Sequence, residues 1–369
     1  MVILKSQRDT LLLPLQSVSG IVERRHTLPI LSNVLLEKRD DTLTLVATDI
    51  EIQITTSGRN VGGEGDGAVT VAARKLQDIL RSLPDTAQVT LDLEEKRLLV
   101  KAGKSRFTLQ TLPADDFPRM AIAEEGEHKT LKVTQKEFRT LIGKTQYAMA
   151  AQDVRYYLNG LMLMVDGPEL RSVATDGHRL AYNSMAISAD LERQEMILPR
   201  KTVLELNRLL SDVDDPLEIT LGANQIRFAF GDVVLVSKLI DGKFPDYERV
   251  IPGSLAHHMT VNRQALHSAM SRAAILTNDK FHGVRVILGE NTLKIAAANA
   301  EQEEAEEEIE VQYAGDPLDI GFNVTYLLDV LNNLADDTVV WSFNDANSSA
   351  LITMPDNDRF KYVVMPMRI

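Results

Sequence analysis

Apolar residues in this chain recur at two spacings, every second position and every third or fourth, and the two alternate in blocks. One block reads as an apolar strand, a turn, and a second strand closing on a small polar cluster. It occurs as LSNVLLEKRDDTLTLVATD from Leu31, LNGLMLMVDGPELRSVATD from Leu158 and FHGVRVILGENTLKIAAAN from Phe281, spacings of 127 and 123 residues. A second block has helical spacing: RKLQDILRSLPD ends at Asp85, RKTVLELNRLLSD at Asp212 and VTYLLDVLNNLAD at Asp336, 127 and 124 apart. Phe117 and Pro118 return 127 residues later as Phe244 and Pro245. Two independent blocks with one period imply a domain present three times. Copies of about 120 to 125 residues are full domains, longer than any solenoid unit.

Each copy predicts helix, strands, helix, strands. TQKEFRTLIGKTQYAMA opens on Thr134 as N-cap with Glu137 three residues on, a capping-box spacing, and Phe138, Leu141, Ile142 and Thr145 share one face. Its counterparts are RDTLLLPLQSVSGIV, where Pro14 should bend the helix, and NRQALHSAMSRAAI. DGPEL is expected to turn the chain before the strand LRSVATD, and QIRFAFGDVVLVSKL to form a hairpin turning at Gly231 and Asp232. The fold class is therefore α+β: three tandem copies, each with two helices packed on antiparallel sheets. The expected domains are 1–122, 129–251 and 258–369, joined by short linkers that favour rigid end-to-end packing.

Composition narrows the function. Cysteine is absent, which removes disulfides and thiolate metal sites and suits a reducing compartment. The opening MVILKSQRDTLLLPLQ lacks the basic start and unbroken apolar run of a signal peptide, so a soluble cytoplasmic protein is expected. A net charge of −13 argues against a generic nucleic-acid binder. The distribution of charge matters more than the total. Acid concentrates in EQEEAEEEIE from Glu301 to Glu310, whereas basic residues recur on the helices. Arg74, Lys75 and Arg81 hold the same frame as Arg200, Lys201 and Arg208; the third copy departs with Asn323 to Tyr326, but carries Arg263 and Arg272 on its first helix. Recurrence at one phase sets positive charge on equivalent faces, which suits phosphates without base contacts. Gln152, Arg155, Tyr156 and Tyr157 form a polar-aromatic loop on that side.

The most enzyme-like fragment is Asp176-Gly177-His178, since an Asp beside a His can orient an imidazole for base catalysis. The equivalent positions in the other copies are Asp49-Ile50-Glu51 and Asn299-Ala300-Glu301, so the pair is not repeated and a turn after a strand is the simpler reading. A hydrolase using Asp176 and His178 stands as one alternative, and a DNA-independent three-repeat scaffold as another. No nucleophile elbow, P-loop or zinc-protease motif occurs, and the acidic run alternates faces along a strand too much to gather metal ligands. No cofactor and no catalytic or metal-binding residue is expected. The ending YVVMPMRI carries Met365, Pro366 and Met367, an adaptable apolar surface suited to partner peptides.

Taken together, TLPILSNVLLE, QDVRYYLNG, VATDGHRLA, KLIDGKFPDYERV, RAAILTNDKF, EQEEAEEE, GFNVTYLLDVL and VVMPMR resemble the bacterial DNA polymerase III beta subunits, the replication sliding clamps, over essentially the whole chain. The resemblance implies a ring-shaped head-to-tail homodimer that encircles double-stranded DNA without sequence preference. It implies tethering of the replicative polymerase and other clamp-binding proteins, and loading by a separate ATP-driven clamp loader. By position, Arg24, Arg74, Gln152, Tyr156, Tyr157 and Arg200 would contact DNA. A partner-peptide pocket would be walled by Leu158, Thr175, Gly177, His178, Arg179, Leu180, Pro245, Arg249, Val250, Asn323, Tyr326, Val363, Met365, Pro366 and Met367. Dimer closure would pack Phe107 and Leu109 against Ile275 and Leu276, with Lys75, Lys104 and Arg106 facing Glu303, Glu306 and Glu307. Ile369 stands where leucine is commoner, and Asn347 is polar at a wall position that is often apolar.

Overall fold

The computed structural model describes residues 2–23, 27–59, 61–63, 65–120, 129–278 and 280–369. Among the described residues six α-helices, two per repeat, punctuate a chain that is otherwise mostly strand: α1 (Arg8–Ser19), α2 (Ala73–Ser82), α3 (Gln135–Gly143), α4 (Arg200–Leu209), α5 (Arg263–Ala273) and α6 (Val324–Asn332). Their apolar stripes are the buried ones. In α3 and the turn after it, Phe138, Leu141, Ile142 and Thr145 are all buried, as their spacing predicts. The helix starts directly after the strand Lys129–Thr134, and its first two amides donate to Asp215 O and Val213 O. In α5 the N-cap Asn262 accepts from Ala265 N at 2.9 Å. Pro14 lies inside α1, yet the helix runs on to Ser19, with Leu11, Leu12, Leu15 and Val18 buried around it.

Every strand pairing among the described residues is antiparallel, in sheets of twelve, six and four strands. The chain forms two compact units, 1–136 with 204–239, and 137–203 with 240–369, so the division falls inside the central repeat. The first unit holds the twelve-stranded sheet, in which Ile52–Gly58 of the first repeat pairs with Val233–Lys238 of the second. The second unit holds the other two sheets. In its six-stranded sheet Arg179–Asn183 pairs with Phe360–Val364, joining central and last repeats edge to edge.

The hairpin at Gly231 forms as expected, with φ 51 at the glycine. DGPEL does not turn the chain. It lies within one sixteen-residue strand, Gly160–Thr175, as a bulged stretch in which Gly167 takes φ 57. The partner strand, Arg179–Pro199, is long enough to pair on both sides of the irregularity, and it carries the excess: Val165 pairs with Gln194 but Glu169 with Ala186.

Candidate functional site

The turn that carries His178 is built by its own neighbours. Thr175 Oγ1 donates to Arg179 O at 2.6 Å and accepts from Gly177 N at 3.1 Å. Asp176 Oδ1 accepts the amides of His178 and Arg179, at 2.9 and 3.1 Å, and its Oδ2 accepts Arg179 Nε at 3.1 Å. Both carboxylate oxygens are thus engaged in folding the turn and holding Arg179, which removes the basis for a hydrolytic Asp–His pair. Asp49 and Asn299 accept backbone amides two to four residues ahead in the same way. One turn is therefore used three times.

Arg179 is the hub of the site. Its side chain is 9% exposed and reaches Asp329 on α6 at 2.6 Å and Tyr147 O at 2.7 Å, with the guanidinium 4.5 Å from the centre of the Tyr326 ring. Burial opposes its charge, but Tyr362, Asp329 and Asp176 outweigh burial and raise its pKa above the ordinary value. Asp329 follows Tyr326 by one helical turn, so α6 presents an aromatic face and a carboxylate to the same cation. His178 lies parallel to Tyr326, ring centres 6.5 Å apart at 19°.

The end of the chain is fastened beside this turn. Met365 N donates to His178 O at 2.9 Å, and Met367 N to Gly321 O at 2.8 Å, so the tail runs between the two sheets of this unit. Met365 is exposed, while Pro366 and Met367 are half-buried. Under them lies an apolar cluster that includes Leu180 and Val363 with Met162, Met164, Phe244 and Tyr247, and Leu158 is also buried. Pro245 is half-buried, Val250 is exposed, and Arg249 is held at 2.8 Å by Asp246 on the short turn Tyr247–Arg249. Asn323 caps α6 by accepting Thr325 N at 2.9 Å. The result is a cleft with an apolar floor, a cation–aromatic wall and a tail carrying two conformationally adaptable methionines.

A cavity of about 590 Å³ adjoins this cleft, lined by Gln152 and Arg200 together with His178, Arg179, Tyr326 and Asp329. Two of the residues expected to meet DNA thus share a cavity with three expected to meet peptide. Arg200 donates to Met149 O at 3.0 Å. In the other unit its counterpart Arg74 is exposed and donates to Val22 O at 2.9 Å. Tyr156 is exposed, whereas Tyr157, edge-on to it at 5.9 Å, packs on the apolar cluster. Arg24 lies outside the described residues.

Of the residues expected at a dimer contact, Arg106, Phe107, Leu109, Glu306 and Glu307 lie on strands with open edges, whereas Lys75 is on α2 and Ile275 and Leu276 are in the short turn Ala274–Leu276. Phe107 and Leu109 are half-buried on Ser105–Leu112, which pairs along one side with Arg97–Ala102 but meets Gly67–Ala72 only at Thr111 and Leu112. Lys75, Lys104 and Arg106 are exposed. In the second unit Glu304–Glu310 is the edge strand of its sheet; Ile275 is 77% exposed and Leu276 half-buried. The acidic residues there already have partners within the chain: Glu303 accepts Asn299 Nδ2 at 2.6 Å, Glu306 pairs with Lys294 at 2.8 Å, and Glu307 with Arg272 at 2.6 Å. Hydrogen bonding to Arg272 lowers the Glu307 pKa.

Sequence reasoning missed Asp329, Tyr147 and Gly321. Asp329 had a signal, its one-turn spacing from Tyr326. Tyr147 and Gly321 act through backbone carbonyls, for which side-chain chemistry gives none.

The fold and the site define a three-repeat α+β recognition protein whose cleft is made where two repeats share a sheet. The three family models that match are the N-terminal, central and C-terminal domains of the DNA polymerase III beta subunit, over residues 3–121, 132–246 and 248–368. The chain is 52% identical over 367 residues to the beta sliding clamp of Pseudomonas aeruginosa, covering 98% of this chain and 99% of that one. It is 48% identical over 363 residues to that of Escherichia coli K12, with the same coverage of each, 98% and 99%. Among solved structures, a P. aeruginosa sliding clamp bound to griselimycin superposes with a TM-score of 0.93 at 50% identity, covering 99% of both chains. The Caulobacter crescentus polymerase III beta structure gives 0.92 at 38% identity, covering 99% of this chain and 100% of that one. The chain belongs to the DNA polymerase III beta subunit family, the beta sliding clamps, which are non-catalytic processivity factors of DNA replication.

Proposed function

We propose that two copies of this chain close head to tail into a ring around duplex DNA, loaded by an ATP-driven clamp loader in the cytoplasm. Its domains are 1–122, 129–251 and 258–369. The replicative polymerase and other partners are held by short extended peptides in the cleft at His178, Arg179, Tyr326 and the C-terminal tail. Arg24, Arg74, Gln152, Tyr156, Tyr157 and Arg200 meet the DNA backbone weakly enough to permit sliding.

The observation that carries this reading is the pair of complementary open edges. Ser105–Leu112, flanked by Lys104 and carrying Arg106, leaves most of one edge unpaired, and Glu304–Glu310 is an acidic edge strand. Unpaired strand edges are sites of association unless blocked, and a heterologous contact that repeats with the right rotation closes a ring. Intrachain pairing of Glu306 and Glu307 leaves the apolar residues Phe107, Leu109, Ile275 and Leu276 as the main adhesive.

The test is retention after loading onto closed circular DNA with a cognate loader and ATP. Retention on circles and loss after linearisation is expected. Equal loss from both forms would make the binding electrostatic and remove the topological mechanism.

A further inference from the structure

The sheet face that floors the cleft continues past its end. On the strand Arg179–Pro199, Leu180 and Tyr182 share one face; on Asn357–Val364, Val363 and Lys361 do the same. The register pairs Leu180 with Val363 and Tyr182 with Lys361. Two residues of strand span about 7 Å, so the Tyr182–Lys361 pair sits one side chain beyond the cleft floor. A separate cavity of about 500 Å³ opens there, lined by Arg171, Tyr182, Tyr247, Glu248, Ile251 and Lys361 among others.

Its chemistry differs from that of the cleft. Tyr182 and Tyr247 stack at 5.8 Å and 28°. Lys361 holds its ammonium 5.5 Å from the centre of the Tyr182 ring. The other cation, Arg171, is committed: it bridges Glu169 at 2.6 Å and Glu248 at 3.7 Å, and donates to the Tyr247 hydroxyl at 3.3 Å. Lys361 has no ion-pair partner among the described residues and is half-buried. The walls contributed by Ile251, Pro252 and Leu351 are apolar. An uncommitted ammonium over an aromatic face, partly withdrawn from water, attracts an anion more strongly than one in bulk solvent, and aromatic walls accept the methylenes that carry a carboxylate.

We propose that this cavity is a second subsite of the cleft, taking an acidic side chain from the part of a partner peptide that runs past Pro245 to Val250. The carboxylate meets Lys361, and its stem lies on Tyr182 and Tyr247. The occupant follows from charge complementarity with Lys361, the one lining cation without an ion-pair partner among the described residues, and from continuity with the cleft floor. The proposal rests on the reading of the cleft as a peptide seat.

The test uses the full chain and fluorescein-labelled peptides with a five-residue core bearing Leu and Phe, extended at either end by two glutamates or two serines. Fluorescence anisotropy at low salt should show that glutamates at one end tighten binding about fivefold over serines. That gain should vanish in Lys361→Ala and at about 1 M salt, where the Debye length is about 3 Å. Serine-extended peptides should bind Lys361→Ala and wild type equally, which also reports that the variant is folded. His178→Ala should weaken every peptide while keeping the glutamate-to-serine ratio. Equal affinity for both extensions at both ends, or a gain that survives Lys361→Ala, overturns the subsite and leaves the cleft standing. If no core peptide binds wild type, the cleft reading fails and takes the subsite with it.

Discussion

Each repeat's polar turn contains a residue of positive φ, directly after the turn's Asp in the first two repeats and three residues after Asn299 in the third. Ile50 takes φ 71, Gly177 φ 91 and Gln302 φ 64. A β-branched residue in that region costs on the order of 1 kcal/mol or more, so the first repeat tolerates strain that the central repeat avoids. Gly177 has a second reason to lack a side chain: Arg155 Nη2 lies 3.0 Å from where its Cβ would stand. That guanidinium is in turn fixed by Asp153, at 2.9 Å to Oδ2. Hydrogen bonds from the Arg155 side chain and amide lower the Asp153 pKa from 3.8 to about 2. A depressed carboxylate pKa stabilises the fold above the ordinary value, and the contribution is lost as pH falls through the folded one. The loop at 151–155 should therefore keep its order down to pH 4 and lose this contribution between pH 4 and 2. A carboxyl-carbon NMR titration should place the Asp153 midpoint near 2, and Arg155→Ala should return it towards 3.8. An unchanged midpoint in the variant would mean that Arg155 is not the cause.

Elements were legible where their pattern is local. The buried stripe of α3 and the Gly231 hairpin depend on residues within a few positions of one another. DGPEL was misread because a glycine-proline pair turns a chain only if no long partner strand holds it straight, and Arg179–Pro199 does hold it. The C-terminal tail shows the same dependence. A Cβ at Gly321 would collide with the Met367 carbonyl oxygen, so the close approach of tail to strand needs glycine there. Gly321→Ala should displace the tail and with it Met365 and Met367. Peptide affinity should fall about tenfold, the equivalent of one backbone hydrogen bond, while the melting temperature changes little. Unchanged affinity by anisotropy would show that the Gly321 contact does not position the methionines.

At the scale of the molecule, net charge and local charge point in opposite directions, and both are used. A total of −13 keeps the chain away from nonspecific polyanion binding, while exposed Arg74 and Lys75 on α2 present positive charge locally. Assembly should depend on apolar contact more than on ion pairs, because Glu306 and Glu307 are already satisfied within the chain. Ile275→Asp places a charge where a side chain is 77% exposed, so the monomer fold should survive. Sedimentation should then report a monomer at concentrations where wild type is a dimer. A dimer retained by Ile275→Asp would move the interface elsewhere.

The triplication, the α+β class and the helix stripes could be read from the chain, because they follow from periodicity and from spacings repeated along its length. Its longer motifs also carried the family resemblance, which the family models bear out. That Arg179 reaches Asp329 and Tyr147, that Tyr182 pairs with Lys361 and that Met367 bonds to Gly321 emerged from the folded molecule alone. These contacts join segments up to 179 residues apart in the chain. The longest of them, Tyr182 to Lys361, comes from strand pairing between repeats, whose partners and register are set by packing of whole sheet faces and not by the residues adjacent in sequence.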